Sequence, residues 1–255
     1  MGAFALDSFL LILGRLSGLF ISAPIFSSRQ IPVMVKAFLL AALAVTLASF
    51  VPIQYGLPVE TLGQFAAAMA VEIFIGYIIG FVVYLVLAAI QLAGQLMDMQ
   101  MGFAIVNVVD PQSGSQIPLM GNLTQTLALL MYLAVDGHHY LLQAIVQSYK
   151  IIPVLGMSLS NDFYQLMVQM SVYLFVIAVK IAAPILIVTL TTDIAMGFVA
   201  RTVPQMNVFI VGLPLKILVG LIALCLFLPV YLWIYSLLFD RFFTYLDAVI
   251  MALGV

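Results

Sequence analysis

The residues of this chain that could do chemistry are a few ionisable side chains in or beside long apolar runs. They are Glu72, Asp98, Lys180, Asp193 and Lys216, in a sequence that is 65% hydrophobic and only 7% charged. A charge that faces lipid is costly, so each group is expected to be paired, to carry protons or ions, or to lie outside the bilayer. Opposite signs occur among them, and the two most deeply placed groups, Glu72 and Lys180, are candidates for a structural ion pair.

The sequence carries no motif of a hydrolytic or metal centre. His138 and His139 are adjacent, so their rings are not expected to share one helix face for a metal ion, and no Cys, Asp or Glu cluster completes a site. The motifs H-E-x-x-H and G-x-S-x-G and phosphate-binding loops are absent. The single cysteine, Cys225, lies inside an apolar run and indicates a packing residue rather than a disulfide. We therefore expect no enzymatic activity, no cofactor and no metal.

The hydrophobic pattern predicts the elements that must hold these residues. Mean hydropathy is +1.27, and several uncharged runs exceed the roughly 18 residues that indicate a membrane span. A net charge of −2 argues against nucleic acid as a partner, which would need a basic surface. The predicted fold is an all-α integral membrane protein with about six hydrophobic segments and a short apolar tail. The segments cover residues 4–26, 35–57, 62–94, 122–148, 163–200 and 207–239, and the tail runs from Phe242 to Val255.

The last two segments are too long for a simple membrane crossing. At about 1.5 Å per residue they would extend well past a hydrocarbon core of about 30 Å, so they must tilt, break or project from the bilayer. Pro184 and Pro229 predict kinks, because proline removes a backbone donor and crowds the preceding turn. The stretch from Gly197 to Asn207 predicts a turn-rich joint between the two segments. The fold is therefore expected to contain long kinked helical hairpins.

Two further patterns bear on packing and gating. Gly14-x-x-x-Gly18 and Gly76-x-x-x-Gly80 place glycines one helical turn apart, which lets two helix backbones approach closely, and generic helix packing is expected of them. The loop 101–122 differs from its surroundings in its polar residues, glycines and prolines. Irregular backbone at membrane depth must be buried in protein or line a wet cavity. The loop is therefore either an exposed connection between helices or a gate or plug.

Polar residues, glycines, prolines and two phenylalanines follow one another in a characteristic order along most of the chain. They are Arg15, Gly18, Phe20, Pro24, Pro32, Lys36, Glu72, Gly76, Gly80, Gly94, Asp98, Gln100, Gly102, Asp110, Pro111, Asp136, Gly137, His138, Ser148, Pro153, Gly197, Arg201, Pro204, Gln205, Asn207, Phe209, Pro214 and Lys216. This ordered set, in a chain of this length and hydropathy, resembles the FliR family of flagellar biosynthesis proteins. It resembles more distantly the equivalent subunit of virulence type III secretion systems.

The resemblance implies an export gate subunit of the flagellar type III protein secretion apparatus. One copy would assemble with several copies of FliP and FliQ into a helical, cone-shaped assembly, and unfolded flagellar subunits would pass through its central channel. FlhB would wrap the cytoplasmic-side entrance. The location would be the bacterial inner membrane, within the flagellar basal body. Residues 1–162 would be the FliP-like part, and residues 163–255 would be the FliQ-like helical hairpin with its short tail.

The resemblance also implies a set of plug residues, and together with the charges in apolar runs it gives a set of buried residues. The loop 101–122 falls where the family has a plug that helps to close the channel. The candidate plug residues are Val106, Asn107, Val108, Asp110, Pro111, Gln112, Ser113, Gly114 and Ile117. The residues expected to serve as buried charges or in packing are Arg15, Glu72, Gly76, Gly80, Asp98, Lys180, Asp193, Arg201, Pro204, Gln205 and Lys216.

Two alternatives stay open at this point. The injectisome subunit would share the mechanism but serve toxin delivery. A small-molecule or ion transporter would also fit apolar segments that are broken by prolines and carry intramembrane charges, although no convincing internal repeat is present. An intramembrane enzyme is disfavoured because the catalytic motifs are missing.

Overall fold

A computed structural model of the chain describes residues 2–28, 30–50, 61–103, 118–203, 205 and 207–254. Within these residues the fold is all-α, as predicted, and contains seven helices. They are α1 (Gly2–Ser22), α2 (Val33–Phe50), α3 (Leu62–Met101), α4 (Leu119–Ala134), α5 (Gly137–Ile151), α6 (Asn161–Thr202) and α7 (Val208–Leu253).

Side-chain caps fix where two of the long helices begin. Before α3, the Thr61 amide donates to the Gln64 Oε1 atom at 3.0 Å, and the Gln64 amide donates to the Thr61 Oγ1 atom at 3.3 Å. This reciprocal pair is a capping box, which satisfies two amides that have no partner inside the helix. Before α6, the Phe163 amide donates to the Ser160 hydroxyl at 3.3 Å in the manner of an N-cap.

The structure differs from the predicted segments at two places. Segment 122–148 is two helices, because the chain turns after Ala134 and Asp136 adopts the left-handed conformation with φ 55°. The apolar stretch from Phe242 is not a separate tail, since α7 continues to Leu253. Its side chains are as apolar as those before it, and no helix-breaking residue separates them.

The break between the two longest helices falls in the second half of the predicted joint. Helix α6 continues through residues 197–202 and ends at Thr202, and α7 begins at Val208. Pro184 lies inside α6, and Pro214 and Pro229 lie inside α7. Neighbouring helices and local adjustments can satisfy the backbone groups that such prolines free in an apolar setting.

Three described helices are long and apolar enough to cross a membrane: Leu62–Met101, Asn161–Thr202 and Ile210–Leu253. Two shorter apolar helices cover Val33–Ser49 and Leu119–Ala134. At about 1.5 Å per residue, each long helix measures about 60–66 Å, twice the hydrocarbon thickness of about 30 Å. The excess length predicted from the sequence is therefore present.

The helices divide into two compact units, and each is built from separate stretches of the chain. The first unit takes its residues from Met1–Val86, Tyr132–Ser171 and Leu238–Val255. Its core includes Leu11, Leu16, Leu19, Ile75, Ile79, Ile145, Phe239 and Leu246. The second unit takes its residues from Leu87–Met131 and Val172–Leu237. Its core includes Ile90, Met97, Met101, Met120, Ala128, Ile181 and Ile185.

Candidate functional site

The first unit contains a close crossing of α1 and α3. A Cβ built on Gly18 would overlap the Ile73 carbonyl oxygen, and one built on Gly76 would overlap the Arg15 carbonyl oxygen. Only glycine permits two backbones to approach this closely, because any larger residue would place its side chain inside the opposite helix. The two glycine motifs of the sequence therefore face each other across one crossing.

A buried ion pair lies at this crossing. The Arg15 Nε atom donates to Glu72 Oε2 at 2.6 Å, and the Arg15 Nη2 atom donates to Glu72 Oε1 at 3.0 Å. Both side chains have no exposed surface. The two parallel hydrogen bonds match the planar guanidinium fork to the carboxylate, an arrangement that lysine could not make.

Helix α5 completes the surroundings of the guanidinium. Arg15 Nη1 donates to the Ser148 Oγ atom at 2.7 Å, and Nη2 also donates to the Ile152 carbonyl at 3.2 Å. The guanidinium carbon lies 3.7 Å from the centre of the Tyr149 ring, which adds a cation–π contact. We call Arg15, Glu72, Ser148 and Tyr149 the arginine node. It links three helices through one buried cation.

The second unit contains a buried carboxylate at the start of α4. The Met120 amide donates to Asp98 Oδ1 at 2.9 Å, and the Gly121 amide donates to Asp98 Oδ2 at 3.0 Å. These amides belong to the first turn of α4, where backbone donors have no partner inside the helix. A negative charge there is also stabilised by the helix dipole. Asp98 thus caps α4 from the end of α3, and we call this contact the Asp98 cap.

A second ion pair joins α6 and α7 in the same unit. Lys216 Nζ donates to Asp193 Oδ2 at 2.7 Å, and Gln100 Nε2 donates to the same oxygen at 3.3 Å. The side chains of Lys216 and Asp193 keep 19% and 46% of their surface exposed. We call Asp193 and Lys216 the exposed pair, to which Gln100 adds only a long contact.

Among the described residues, the buried Tyr132 and Tyr231 hydroxyls and His138 Nδ1 have no hydrogen-bond partner, but seven other buried polar side chains are held by hydrogen bonds. These seven are Arg15, Ser22, Glu72, Asp98, Thr124, Ser148 and Thr189. Such contacts fix helices against each other and satisfy groups that would be costly to leave unpaired. The geometry is that of a scaffold, because the Arg15 guanidinium and the Asp98 carboxylate are both hydrogen-bonded to other groups of the protein.

Comparisons with known proteins identify the family of this chain. The model of the family described as bacterial export proteins, family 1, matches residues 6–242. The chain belongs to this family. It is similar to flagellar biosynthetic protein FliR of Bacillus subtilis (strain 168), with 38% identity over 221 residues that cover 85% of this chain and 84% of the relative.

Other relatives match over nearly the same extent. The FliR protein of Escherichia coli (strain K12) is 29% identical over 240 residues, covering 94% of this chain and 91% of that protein. The FliR protein of Aquifex aeolicus (strain VF5) is 29% identical over 232 residues, covering 90% and 88%. The chain is thus a FliR homologue, a flagellar export membrane protein and a non-enzymatic transport component.

The predicted ion pair between Glu72 and Lys180 is wrong in this FliR-family chain. Glu72 pairs with Arg15 of α1, whereas Lys180 lies exposed on α6. The prediction ranked charges by their depth in apolar runs along the chain. The glycine crossing instead brings Arg15 within reach of Glu72, and that proximity could not be derived from the runs themselves.

Other residues expected to be buried charges have different surroundings. Asp98 is buried as expected, but Asp193, Arg201 and Gln205 are exposed in the single chain. Asp193 and Arg201 lie in the C-terminal part of α6, and Gln205 follows that helix. Lys216 is partly buried against Asp193. Pro204 and all nine candidate plug residues lie outside the described residues.

Sequence reasoning missed Tyr149 and Tyr140 as polar anchors. Tyr140 donates from its hydroxyl to Asp247 Oδ2 at 2.6 Å and stacks on Phe243 of α7. Burial, with the hydrogen bond to the Asp247 carboxylate, raises the pKa of Tyr140 to about 12. The hydroxyl therefore stays a hydrogen-bond donor across physiological pH. Tyrosines in an apolar sequence carry no spacing signal that separates an anchor from a packing residue.

Proposed function

We propose that this FliR-family chain is the export gate subunit of the flagellar type III secretion apparatus. It would form, with FliP and FliQ, the channel through which unfolded flagellar subunits are exported during flagellum assembly. The proposed location is the bacterial inner membrane, within the flagellar basal body. Membership of the bacterial export protein family supports a role in export. The proposed role as a gate subunit rests on which helices the chain leaves uncovered.

Among the three long helices, α6 and α7 are the least covered by the rest of the chain. In the most apolar window of α3, 67% of the residues are buried inside the chain, but only 33% and 22% are buried in those of α6 and α7. Large apolar side chains such as Phe198 and Trp233 keep about two thirds of their surface exposed, 67% and 64%. Lipid could cover such surface over about 30 Å, but helices of about 60 Å or more need protein partners for the rest.

This mismatch supports a helical, cone-shaped assembly with several copies of FliP and FliQ around one copy of this chain. We propose that residues 163–255 pack there as the FliQ-like part and residues 1–162 as the FliP-like part. FlhB would lie at the cytoplasmic-side entrance. In such an assembly α6 and α7 would extend beyond the lipid, and their apolar faces would contact partner helices.

We propose that the loop 101–122 is the channel plug, with Met101 as the last residue of α3 and residues 119–122 as the first turn of α4. The supporting observation is the Asp98 cap, which holds the end of α3 to the first turn of α4. Gly94 aids this approach, because a Cβ there would overlap the Met120 carbonyl oxygen. The two ends of the intervening segment are therefore fixed close together on a buried anchor. A segment with fixed ends can be displaced and return to one position.

The mechanism that we propose uses no covalent chemistry. Apolar side chains and the plug would exclude water and ions, and both would move aside for a linear polypeptide. The arginine node would keep the first unit rigid during that movement. Energy would come from other parts of the apparatus.

Native mass spectrometry tests the proposal directly. The full chain would carry an affinity tag, be co-expressed with its neighbouring genes and be extracted in mild detergent. The expected result is one copy of this chain with several copies of two smaller membrane proteins. A monodisperse monomer or small homo-oligomer, with no partner retained, would contradict the proposal and favour the transporter alternative.

Two test variants and one control variant strengthen this experiment. Phe198→Glu and Trp233→Glu put charge on the exposed faces of α6 and α7, so they should lower partner recovery. Asp162→Asn changes an exposed residue in the first turn of α6 and should leave recovery unchanged. Equal recovery of partners with all three variants would contradict the proposed contacts between these faces and partner helices.

A further inference from the structure

The turn between α4 and α5 brings together the only two histidines of the chain. Asp136 adopts a left-handed conformation with φ 55° and ψ 29°, and α5 begins at the next residue. His138 and His139 then occupy the first turn of α5, where no preceding helical turn restricts their side chains. Contrary to the expectation from their adjacency, the two rings lie together, with centroids 4.1 Å apart.

The three side chains converge to a spacing that suits a metal ion. His139 Nδ1 lies 3.2 Å from Asp136 Oδ1, and one ligand atom from each of Asp136, His138 and His139 lies within 4.8 Å of the others. Zinc binds imidazole nitrogens and carboxylate oxygens at about 2.0–2.2 Å, so two ligands of one ion lie up to about 4 Å apart. Only a small closing movement would complete the coordination.

The cluster of Asp136, His138 and His139 is accessible to an ion, and one of its ring nitrogens has no hydrogen-bond partner in the described part of the chain. The side chains of His139 and Asp136 keep 64% and 73% of their surface exposed, so an ion can reach them. His138 Nδ1 is buried and has no hydrogen-bond partner among the described residues. A buried nitrogen without a hydrogen-bond partner lowers the free energy of unfolding, because its lost hydration is not replaced. Coordination that reorients the ring would relieve this cost.

We propose that Asp136, His138 and His139 form a zinc site in which solvent completes the coordination. Imidazole favours Zn²⁺, Cu²⁺ and Ni²⁺ over Mg²⁺ and Ca²⁺, which prefer sites made of oxygens alone. The positive end of α5 opposes a bound cation, and the Asp136 carboxylate offsets that effect. The ion would tie the turn after α4 to the first turn of α5. The proposal is independent of the gate role.

Metal titration of the full chain in detergent tests the site. The chain would carry a tag without histidines and the Cys225→Ser change, because the exposed Cys225 is the other strong zinc ligand. Isothermal titration with Zn²⁺ should give one saturable site per chain. Asp136→Asn and His139→Ala should each weaken binding at least as much as loss of an outer-shell partner does, roughly 10- to 100-fold. Asp162→Asn, an exposed carboxylate in another first turn, should leave the affinity unchanged.

A second readout separates loss of the site from loss of the fold. Because the chain has only two histidines, diethylpyrocarbonate should add at most two histidine adducts, and Zn²⁺ should protect both. The proposal is overturned if the wild-type histidines stay equally reactive with Zn²⁺ present. It is also overturned if a monodisperse wild-type chain shows no saturable zinc binding, or if binding is unchanged by Asp136→Asn and His139→Ala.

Discussion

The arginine node and the exposed pair are both ion pairs in an apolar chain, but their surroundings differ. Arg15 and Glu72 have no exposed surface and share further partners in a third helix, whereas Lys216 and Asp193 keep 19% and 46% exposed. Removing one partner of a fully buried pair leaves an uncompensated charge. An exposed pair has other partners available and contributes little. We infer that the node fastens the first unit, and that the exposed pair is available to neighbours in an assembly.

The largest expected effect comes from breaking the arginine node. Glu72→Gln or Arg15→Met should each lower the free energy of unfolding by about 3–5 kcal/mol, because each leaves a buried charge without its partner. The double variant should lose less than the sum of the two single losses. Unfolding of the full chain in detergent, followed by circular dichroism, measures this coupling. Simple additivity would show that the node is not an energetic unit.

A smaller effect is expected from the glycine crossing that brings the node together. Gly76→Ala would place a methyl group against the Arg15 carbonyl and should cost roughly 1–3 kcal/mol, the usual penalty of overpacking. Gly63→Ala is the matched control on the same helix, because a Cβ there meets nothing within 4 Å. It should be neutral or slightly stabilising. Equal losses from both variants would contradict this account, because alanine has a higher helix propensity than glycine and only the crossing should penalise it at position 76.

The smallest effect is expected at the exposed pair. Lys216→Met and Asp193→Asn should each change the unfolding free energy of the single chain by about 0.2–1 kcal/mol. The same variants can be tested within the purified complex, where a neighbouring subunit could cover the pair. If either variant lowered the unfolding free energy of the single chain as much as Glu72→Gln does, the distinction between the two pairs would be contradicted.

The sequence predicted the helical class, the excess length of the last segments and a break within residues 197–207, because composition and hydrophobic runs carry those features. It did not predict that Glu72 meets Arg15, since the partner depends on where α1 and α3 cross. The turn at Asp136 was also missed, because the short polar stretch that begins with Asp136-Gly137, a turn signal, was read as part of one apolar segment. Hydropathy reports how apolar a stretch is, but it does not report which faces of its helices meet.

The distinction between the two regions has a consequence for the channel. If the first unit is a rigid scaffold and the Asp98 cap anchors the plug in the second, sealing should fail without loss of assembly when only the second is altered. Asp98→Asn keeps one acceptor and loses the charge, so it should weaken the cap by roughly 0.5–2 kcal/mol, as loss of a helix cap does. Removal of residues 107–114 should have the stronger effect on sealing.

The most direct measurement is ion conductance of the purified complex reconstituted in planar bilayers. Complexes with residues 107–114 removed should have the same native mass as the wild type but conduct small ions, and Asp98→Asn should conduct at an intermediate level. Unchanged conductance in the shortened complex, at unchanged mass, would contradict the account of the loop 101–122 as the plug.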